Sequence, residues 1–195
     1  MPEPDSPFAE ALAIWKERAA PLVFSRPLTS VRRLDLERFA GKWYELARYP
    51  NWFQHGCHSD VTAVYTLEGE ELHMMHSWLL ADGQTRILKG MARVVDPVTQ
   101  AKFKVNFFKP YSGKYWVIDL GRDYEYSVIG EPERKYLWIF ARQPILEQTT
   151  YVTILENIRT SGYDPAGLKV TRHSLRRAPQ SVGAGHGGIR SSNLR

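Results

Sequence analysis

The residues with the most reactive side chains lie together in the stretch HGCH, His55 to His58. Two imidazoles and a thiol are ligand types that zinc prefers in proteins. A structural zinc site needs four such ligands, usually as two separated pairs, and no second His/Cys pair in the sequence completes this one. His73 and His76 would lie on opposite faces of a strand and so cannot chelate together. We therefore predict neither a metal nor a cofactor.

Cys57 is the only cysteine, so an intrachain disulfide is excluded. A catalytic thiol needs a neighbour that lowers its pKa, and only the flanking imidazoles of His55 and His58 are fixed near it by the sequence. We expect a protein without catalytic activity, and a thiol-dependent enzyme stays as the alternative.

Length and composition indicate one globular domain with an unusual amount of aromatic surface. The chain has 195 residues, of which 43% are hydrophobic and 12% aromatic. Its net charge of +5 is carried by a C-terminal segment without Asp or Glu, at Arg172, Arg176, Arg177, Arg190 and Arg195. Because the rest of the chain is neutral, we expect no nucleic-acid partner. No apolar run reaches the roughly 20 residues that span a bilayer.

The pattern divides the chain into three parts. Residues 1–33 form an N-terminal extension with a short amphipathic helix, whose apolar face holds Phe8, Ala11, Leu12, Trp15 and Ala19. This face either packs on the outside of the domain or contacts a membrane or a partner. Residues 34–175 form the folded domain. Residues 176–195, rich in Gly and Ser, are predicted to be a disordered basic tail.

Within the domain, short runs with period-two alternation predict eight strands. In AKFKVNFF, Phe103, Val105 and Phe107 alternate with polar residues. The eight runs cover residues 42–49, 61–67, 71–78, 86–95, 101–108, 115–120, 124–129 and 136–141. After Pro144 the spacing becomes helical, with Gly162 as the predicted stop, and residues 168–173 return as an extended run.

Eight consecutive strands followed by one helix predict an all-β fold. We expect an eight-stranded antiparallel up-and-down β-barrel with the C-terminal α-helix packed outside, because closure removes the exposed sheet edges. A barrel of this size holds side chains or one small ligand.

Three motifs in this order resemble the signatures of the lipocalin family. They are GKWYELARYP with Gly41 and Trp43, GRDYEY with Asp123 and Tyr124, and YLWIFARQP with Arg142 directly after the last predicted strand. In the second motif Arg122 stands where lipocalins usually have Thr. The resemblance covers residues 34–173 and implies that Arg142 stacks on Trp43 at the closed end. Within the family, the sequence is most similar to bacterial outer-membrane lipoproteins and to apolipoprotein D.

The resemblance implies a function and leaves other points open. It implies that a fatty acid or lysophospholipid binds inside the barrel, for lipid storage or transport in membrane maintenance. One lipocalin isomerase uses a cavity thiol, so an isomerase at Cys57 is the alternative, as is a structural barrel that recruits a protein partner. Apolipoprotein D uses its equivalent Cys in a disulfide, for which this chain has no partner. The resemblance leaves a homodimer open.

The resemblance and the sequence disagree about location. The chain as written shows no secretory signal and no acylated Cys, which predicts a cytoplasmic protein, whereas the family resemblance implies the cell envelope.

Strand alternation, anchored on Trp43 and on the Phe103–Phe107 run, predicts which side chains line the barrel. The predicted ligand-binding residues are Glu45, Ala47, Tyr65, Met74, His76, Trp78, Phe103, Val105, Phe107, Tyr115, Trp138 and Phe140. Each of these could equally fill the core. Trp52 and Phe53, in the loop at the open mouth, either gate a ligand, contact a membrane peripherally or cap the core.

Overall fold

A computed structural model describes residues 6–18, 27–69, 71–108 and 111–174. Its helices are α1 Pro7–Arg18, α2 Leu36–Phe39 and α3 Gln148–Thr160, with a short 3-10 helix at Pro165–Gly167. The strands are β1 Gly41–Arg48, β2 Cys57–Glu68, β3 Glu71–Leu80, β4 Thr85–Val94, β5 Lys102–Phe108, β6 Tyr111–Leu120, β7 Tyr126–Gly130, β8 Leu137–Ala141 and β9 Lys169–Val170. The predicted tail at 176–195 lies outside the described residues.

Strands β1 to β8 form a closed antiparallel barrel. Each strand pairs with the next, and β1 pairs with both β2 and β8, so that the sheet closes on itself. This confirms the predicted eight-stranded barrel with a C-terminal helix. β2 begins at Cys57 and β6 at Tyr111, earlier than predicted, because their first residues already pair with the neighbouring strands although they do not extend the apolar alternation.

The barrel has two separate apolar clusters. The inner cluster lies inside the barrel and includes Trp43, Phe103 and Phe140, whereas the outer cluster lies between β7, β8 and the helices. β7 and β8 are buried on both faces, because α3 covers their outer side. Tyr151, Ile154, Leu155 and Ile158 of α3 supply this cover.

Helix α3 ends where its sequence stops favouring a helix. Gly162 has a φ of +84°, a conformation that costs glycine little. The Gly162 N–H donates to the Arg159 carbonyl and the Tyr163 N–H donates to the Ile158 carbonyl, at 2.9 and 3.1 Å. This pattern of two bonds pairs carbonyls that a helix end otherwise leaves without partners.

Helix α1 packs on α3 through its predicted apolar face. Phe8, Ala11 and Leu12 are buried, and the Phe8 ring meets Tyr151 edge to face with 5.0 Å between centroids. The described part of the face that the sequence left open to a membrane or a partner is therefore covered by the domain itself, and Ala19 lies outside the described residues. None of the helices in the described ranges combines the length and the apolar content that crossing a bilayer requires.

The last extended run joins the barrel beside β1. β1 and β2 pair only from Gly41 to Tyr44, at the closed end, while β9 pairs with the other half of β1. The Thr171 N–H donates to the Leu46 carbonyl, and the Asp60 N–H donates to the Arg172 carbonyl. The chain after β9 thus fills the gap between β1 and β2 on the side of the mouth.

Because α1 packs on α3, its buried face should contribute to the free energy of unfolding. We predict that Phe8→Ala lowers the free energy of unfolding by about 3 kcal/mol, because it empties a space against Tyr151. Urea unfolding followed by circular dichroism measures this. Ile14→Ala, at a position that is 39% exposed, is the matched control and should change it by less than about 0.5 kcal/mol. Equal effects of the two substitutions would contradict the packing of α1.

Candidate ligand-binding site

The closed end of the barrel is sealed by an arginine stacked on a tryptophan. The guanidinium carbon of Arg142 lies 3.7 Å from the centroid of the Trp43 ring, and the Trp43 Nε1–H donates to the Phe39 carbonyl at 2.8 Å. The Arg142 guanidinium also donates hydrogen bonds to the backbone carbonyls of Arg38, Ala40 and Lys42. The predicted stacking pair therefore joins β8 to both α2 and β1.

The turn between β6 and β7 supports this closed end. Tyr124 adopts a left-handed backbone with a φ of +62°, and its hydroxyl accepts a hydrogen bond from the Asp35 N–H at 2.9 Å. The Arg38 guanidinium lies 4.2 Å from the centroid of the Tyr124 ring. The Asp123 N–H donates to the Glu125 carboxylate, and Asp123 is exposed. Asp123 therefore stabilises the turn through its backbone.

Position 41, the first of β1, requires glycine because of its backbone conformation and because Arg142 lies close to it. Its φ is +94°, and a Cβ at this position would lie 3.3 Å from Arg142 Nη1. A larger residue would therefore be strained and would crowd the stacked guanidinium.

Most of the predicted lining residues lie on the inner face. Those within the inner cluster or packed against it are Tyr65, Met74, Phe103, Val105, Phe107, Tyr115, Trp138 and Phe140. Glu45, His76 and Trp78 are buried and share the strand parity of these residues. The structure thus brings these residues together around one interior.

Ala47 is the exception, and its predicted position was wrong. The pairing of β1 with β8 shifts between Glu45 and Ala47, so that Ala47 lies opposite Ile139 in the outer cluster. A β-bulge inserts one residue and inverts the alternation beyond it. Arg48, opposite Trp138, takes the inward position instead.

This bulge creates a buried polar network near the mouth. Arg48 Nη1 lies 2.6 Å from Glu45 Oε1, and their side chains are 4% and 0% exposed. The same Glu45 carboxylate accepts hydrogen bonds from Gln54 Nε2 at 2.8 Å and from the Thr171 hydroxyl at 2.5 Å. The two buried charges therefore neutralise each other, as buried charges must.

Gln54 links this network to the loop after β1. Its Oε1 accepts hydrogen bonds from Trp138 Nε1 at 3.1 Å and from the side-chain amide of Asn51 at 2.7 Å. Sequence reasoning missed Arg48, Gln54 and Thr171 as part of this site. The polar Gln54 beside two aromatic residues was the only local signal, because the other two depend on the bulge and on β9.

Aromatic rings line the mouth below this loop. The Phe53 ring lies 6.0 Å from the centroids of both Tyr136 and Trp138, and the Tyr136 and Trp138 rings stack at 5.8 Å. Phe53 therefore packs onto the lining, whereas Trp52, edge to face with Phe53, is 69% exposed.

Deeper in the barrel, two tyrosines meet across the interior. The Tyr65 and Tyr115 hydroxyls lie 2.5 Å apart, and burial raises the pKa of both above the ordinary value. Tyr65 also stacks on Phe39, at 5.2 Å between centroids. This pair forms a polar step just above the sealed end.

His76 and Trp78 present polar atoms to the interior without a protein partner. His76 Nε2 and Trp78 Nε1 are buried and make no hydrogen bond to any described residue. Burial lowers the pKa of His76 to about 4, so the imidazole is neutral at pH 7. Both side chains can therefore make neutral hydrogen bonds to a ligand.

The region around Cys57 does not assemble a metal or catalytic site. Cys57 is half-buried, and this burial raises the pKa of its thiol above the ordinary value. His55 and His58 are exposed. Within the described ranges, no group of three or more His, Cys, Asp or Glu side chains converges as metal ligands would.

These features define a class of protein: a small β-barrel, sealed at one end and lined by apolar side chains with a few polar groups, which suits a small hydrophobic ligand. A family model described as "Lipocalin-like domain" matches residues 34–173. The chain belongs to the lipocalin family. Members of this family bind small hydrophobic ligands inside the barrel.

Three relatives illustrate the similarity in sequence. Temperature-induced lipocalin-1 of Arabidopsis thaliana is 36% identical over 154 residues, which cover 74% of this chain and 82% of the relative. The outer membrane lipoprotein Blc of Escherichia coli (strain K12) is 34% identical over 141 residues, 71% of this chain and 79% of that protein. Apolipoprotein D of Macaca fascicularis is 35% identical over 139 residues, covering 65% and 70%. The resemblance read from the three motifs is thereby confirmed.

Solved structures confirm the fold. Insecticyanin from the tobacco hornworm Manduca sexta superposes with a TM-score of 0.63 at 20% identity, over 80% of this chain and 89% of that one. Lobster apocrustacyanin A1 gives 0.59 at 14% identity, over 71% and 79%.

The burial of His76 leads to a prediction on pH and stability. The unfolded chain takes up a proton at His76 near pH 6.5, whereas the folded protein does so only near pH 4. Stability should therefore fall as the pH falls through this window. In His76→Phe this loss should be smaller by about 3 kcal/mol. Urea unfolding at several pH values measures it.

The exposed His55 offers a control, since His55→Ala should keep the wild-type dependence on pH. If His76→Phe shows the same loss of stability as the wild type between pH 6.5 and 4, the imidazole is not buried in its neutral form.

Proposed function

We propose that this protein binds one fatty acid or lysophospholipid molecule inside its barrel, for lipid storage or transport in membrane maintenance. The observation that carries the proposal is the inner face, which is mainly apolar from the sealed end at Trp43 up to the aromatic mouth at Trp138. An acyl chain is the natural occupant of such a surface, because each buried methylene contributes about 0.8 kcal/mol.

The polar groups of the barrel favour one orientation of this lipid. The sealed end is built from Trp43 and Phe39, whereas the charged side chains of Glu45 and Arg48 lie on the side of the mouth. A charged head group loses little solvation at the mouth and much at the sealed end. We therefore infer that the acyl chain enters first and that the head group stays at the mouth.

The names of two relatives support a role with lipids. The Escherichia coli protein is an outer membrane lipoprotein, and the Macaca fascicularis protein is an apolipoprotein. We extend the association with lipid to this chain, together with a peripheral membrane contact through the exposed Trp52. Pairing of two chains stays a prediction from the family resemblance.

The chemistry around Cys57 favours a carrier over an enzyme. An activated thiol has a lowered pKa, whereas burial raises that of Cys57. The alternative of a structural barrel that recruits a partner through α1 is weakened by the burial of Phe8 and Leu12 within the domain.

We predict that Trp138→Ala weakens the binding of oleoyl lysophosphatidylcholine about tenfold, which corresponds to roughly 1.4 kcal/mol. The substitution removes apolar contact area at the mouth and the hydrogen bond that Trp138 donates to Gln54. Isothermal titration calorimetry below the critical micelle concentration measures the dissociation constant.

Trp116→Ala is the matched control, because Trp116 packs against the outer cluster and should leave the dissociation constant unchanged. An unchanged constant in a folded Trp138→Ala variant would remove Trp138 from the binding site. Failure of the wild-type protein to bind this lipid or oleate would overturn the proposed function.

A further inference from the structure

Two buried polar atoms on β3 have no hydrogen-bond partner among the described residues. They are Nε2 of His76 and Nε1 of Trp78, whose residues are 7% and 2% exposed. His76 and Trp78 are two positions apart on one strand, so both point into the barrel with their Cα atoms about 7 Å apart. Two more such atoms, on Arg48 and Ser127, lie on β1 and β7.

The side chains around His76 offer its Nε2 atom no free hydrogen-bonding group. The rings of Tyr65, Phe107 and Phe140 lie 6.0, 5.5 and 6.0 Å from the His76 ring, centroid to centroid. Only Tyr65 among them carries a hydroxyl, and that hydroxyl already bonds Tyr115. The strand neighbours opposite His76, Ala63 and Leu88, are apolar.

An unpaired buried polar atom costs about 1–3 kcal/mol, so folded proteins keep few of them. Two of them on one inward strand face, inside a barrel that binds small molecules, point to a ligand as the missing partner.

The chemistry of these two atoms restricts what the ligand can offer. The indole N–H of Trp78 is a donor only, and a neutral imidazole offers one donor or one acceptor at Nε2. Burial keeps His76 neutral and Arg48 is paired with Glu45, so neither side chain offers a free positive charge to a carboxylate or a phosphate at this depth. Arg86, opposite Trp78 on β4, is exposed to solvent. An uncharged acceptor oxygen fits, whereas an ionised group would be buried without a counter-charge.

We propose that His76 and Trp78 form a polar subsite that accepts the uncharged carbonyl oxygen of a bound lipid, as in the acyl ester of a lysophospholipid. This inference rests on the proposed function and adds which group of the lipid the barrel recognises. Trp78 donates to the carbonyl, and His76 Nε2 binds the same ester group from the next inward position. The two residues thereby favour ester lipids over chains that lack a carbonyl.

The position of the subsite along the barrel agrees with this ligand. Trp78 lies two residues before the end of β3 at Leu80, so the subsite is about 7 Å below the rim. A charged head group then stays at the mouth while the ester is buried. Closer to the sealed end, Gly90 lies opposite Met74 on β4. The Phe107 ring packs directly against Gly90, since a Cβ at position 90 would lie 2.4 Å from that ring.

The test compares two lipids that differ only at the carbonyl. Oleoyl lysophosphatidylcholine and its ether-linked octadecenyl analogue have the same head group and chain length, and calorimetry gives both dissociation constants. We expect the wild-type protein to bind the ester about tenfold more tightly. Trp78→Phe and His76→Phe each keep an aromatic ring and remove the polar nitrogen. Each should reduce this ratio to about threefold, with the double variant near unity.

The outcomes separate this inference from the proposed function. Equal binding of the two lipids by the wild-type protein, or a tenfold ratio that persists in either single variant, overturns the subsite while the carrier function stands. No binding of either lipid overturns the proposed function and this inference with it. Trp116→Phe, which alters an indole outside the barrel, should keep the wild-type ratio. Thermal unfolding confirms that each variant is folded.

Discussion

The architecture depends on one guanidinium, that of Arg142, the residue that follows β8. It stacks on Trp43, an arrangement worth roughly 2 kcal/mol when desolvated, and donates to carbonyls of α2 and β1. The end of the last barrel strand is thereby fixed to α2 and β1, which lie about 100 residues earlier in the chain. Among the described residues, side chains and α2 seal this end, and the proposed direction of lipid entry rests on this constraint.

At the mouth, in contrast, the barrel departs from regular strand pairing. β1 leaves β2 after Tyr44, its bulge turns Arg48 inward, and the chain after β9 fills the gap with Thr171. These irregularities position a neutralised ion pair and Gln54 beside the aromatic rings. The interior therefore passes from an apolar sealed end, through single polar groups at Tyr65, His76 and Trp78, to the buried ion pair of Glu45 and Arg48 near the mouth. That gradient matches the gradient of polarity along an acyl lipid.

The barrel could be predicted from the sequence because burial of one face of each strand requires an apolar residue at every second position, as in β5 and β3. The same alternation identified His76 and Trp78 as inward, although it could not indicate that their polar atoms lack partners. Ala47 was misplaced because Leu46 and Ala47 are both apolar, so the bulge leaves no mark in the pattern. Arg48, Gln54 and Thr171 were missed because their contacts with Glu45 join segments that only the folded chain brings together.

The central claim is that the barrel carries a lipid, and native mass spectrometry of the purified full-length protein tests it most directly. We predict an adduct in the mass range of one fatty acid or lysophospholipid, which organic extraction releases and identifies. A protein without an adduct that also fails to take up added oleate or lysophosphatidylcholine would contradict the claim. The aromatic interior would then be a filled core rather than a binding site.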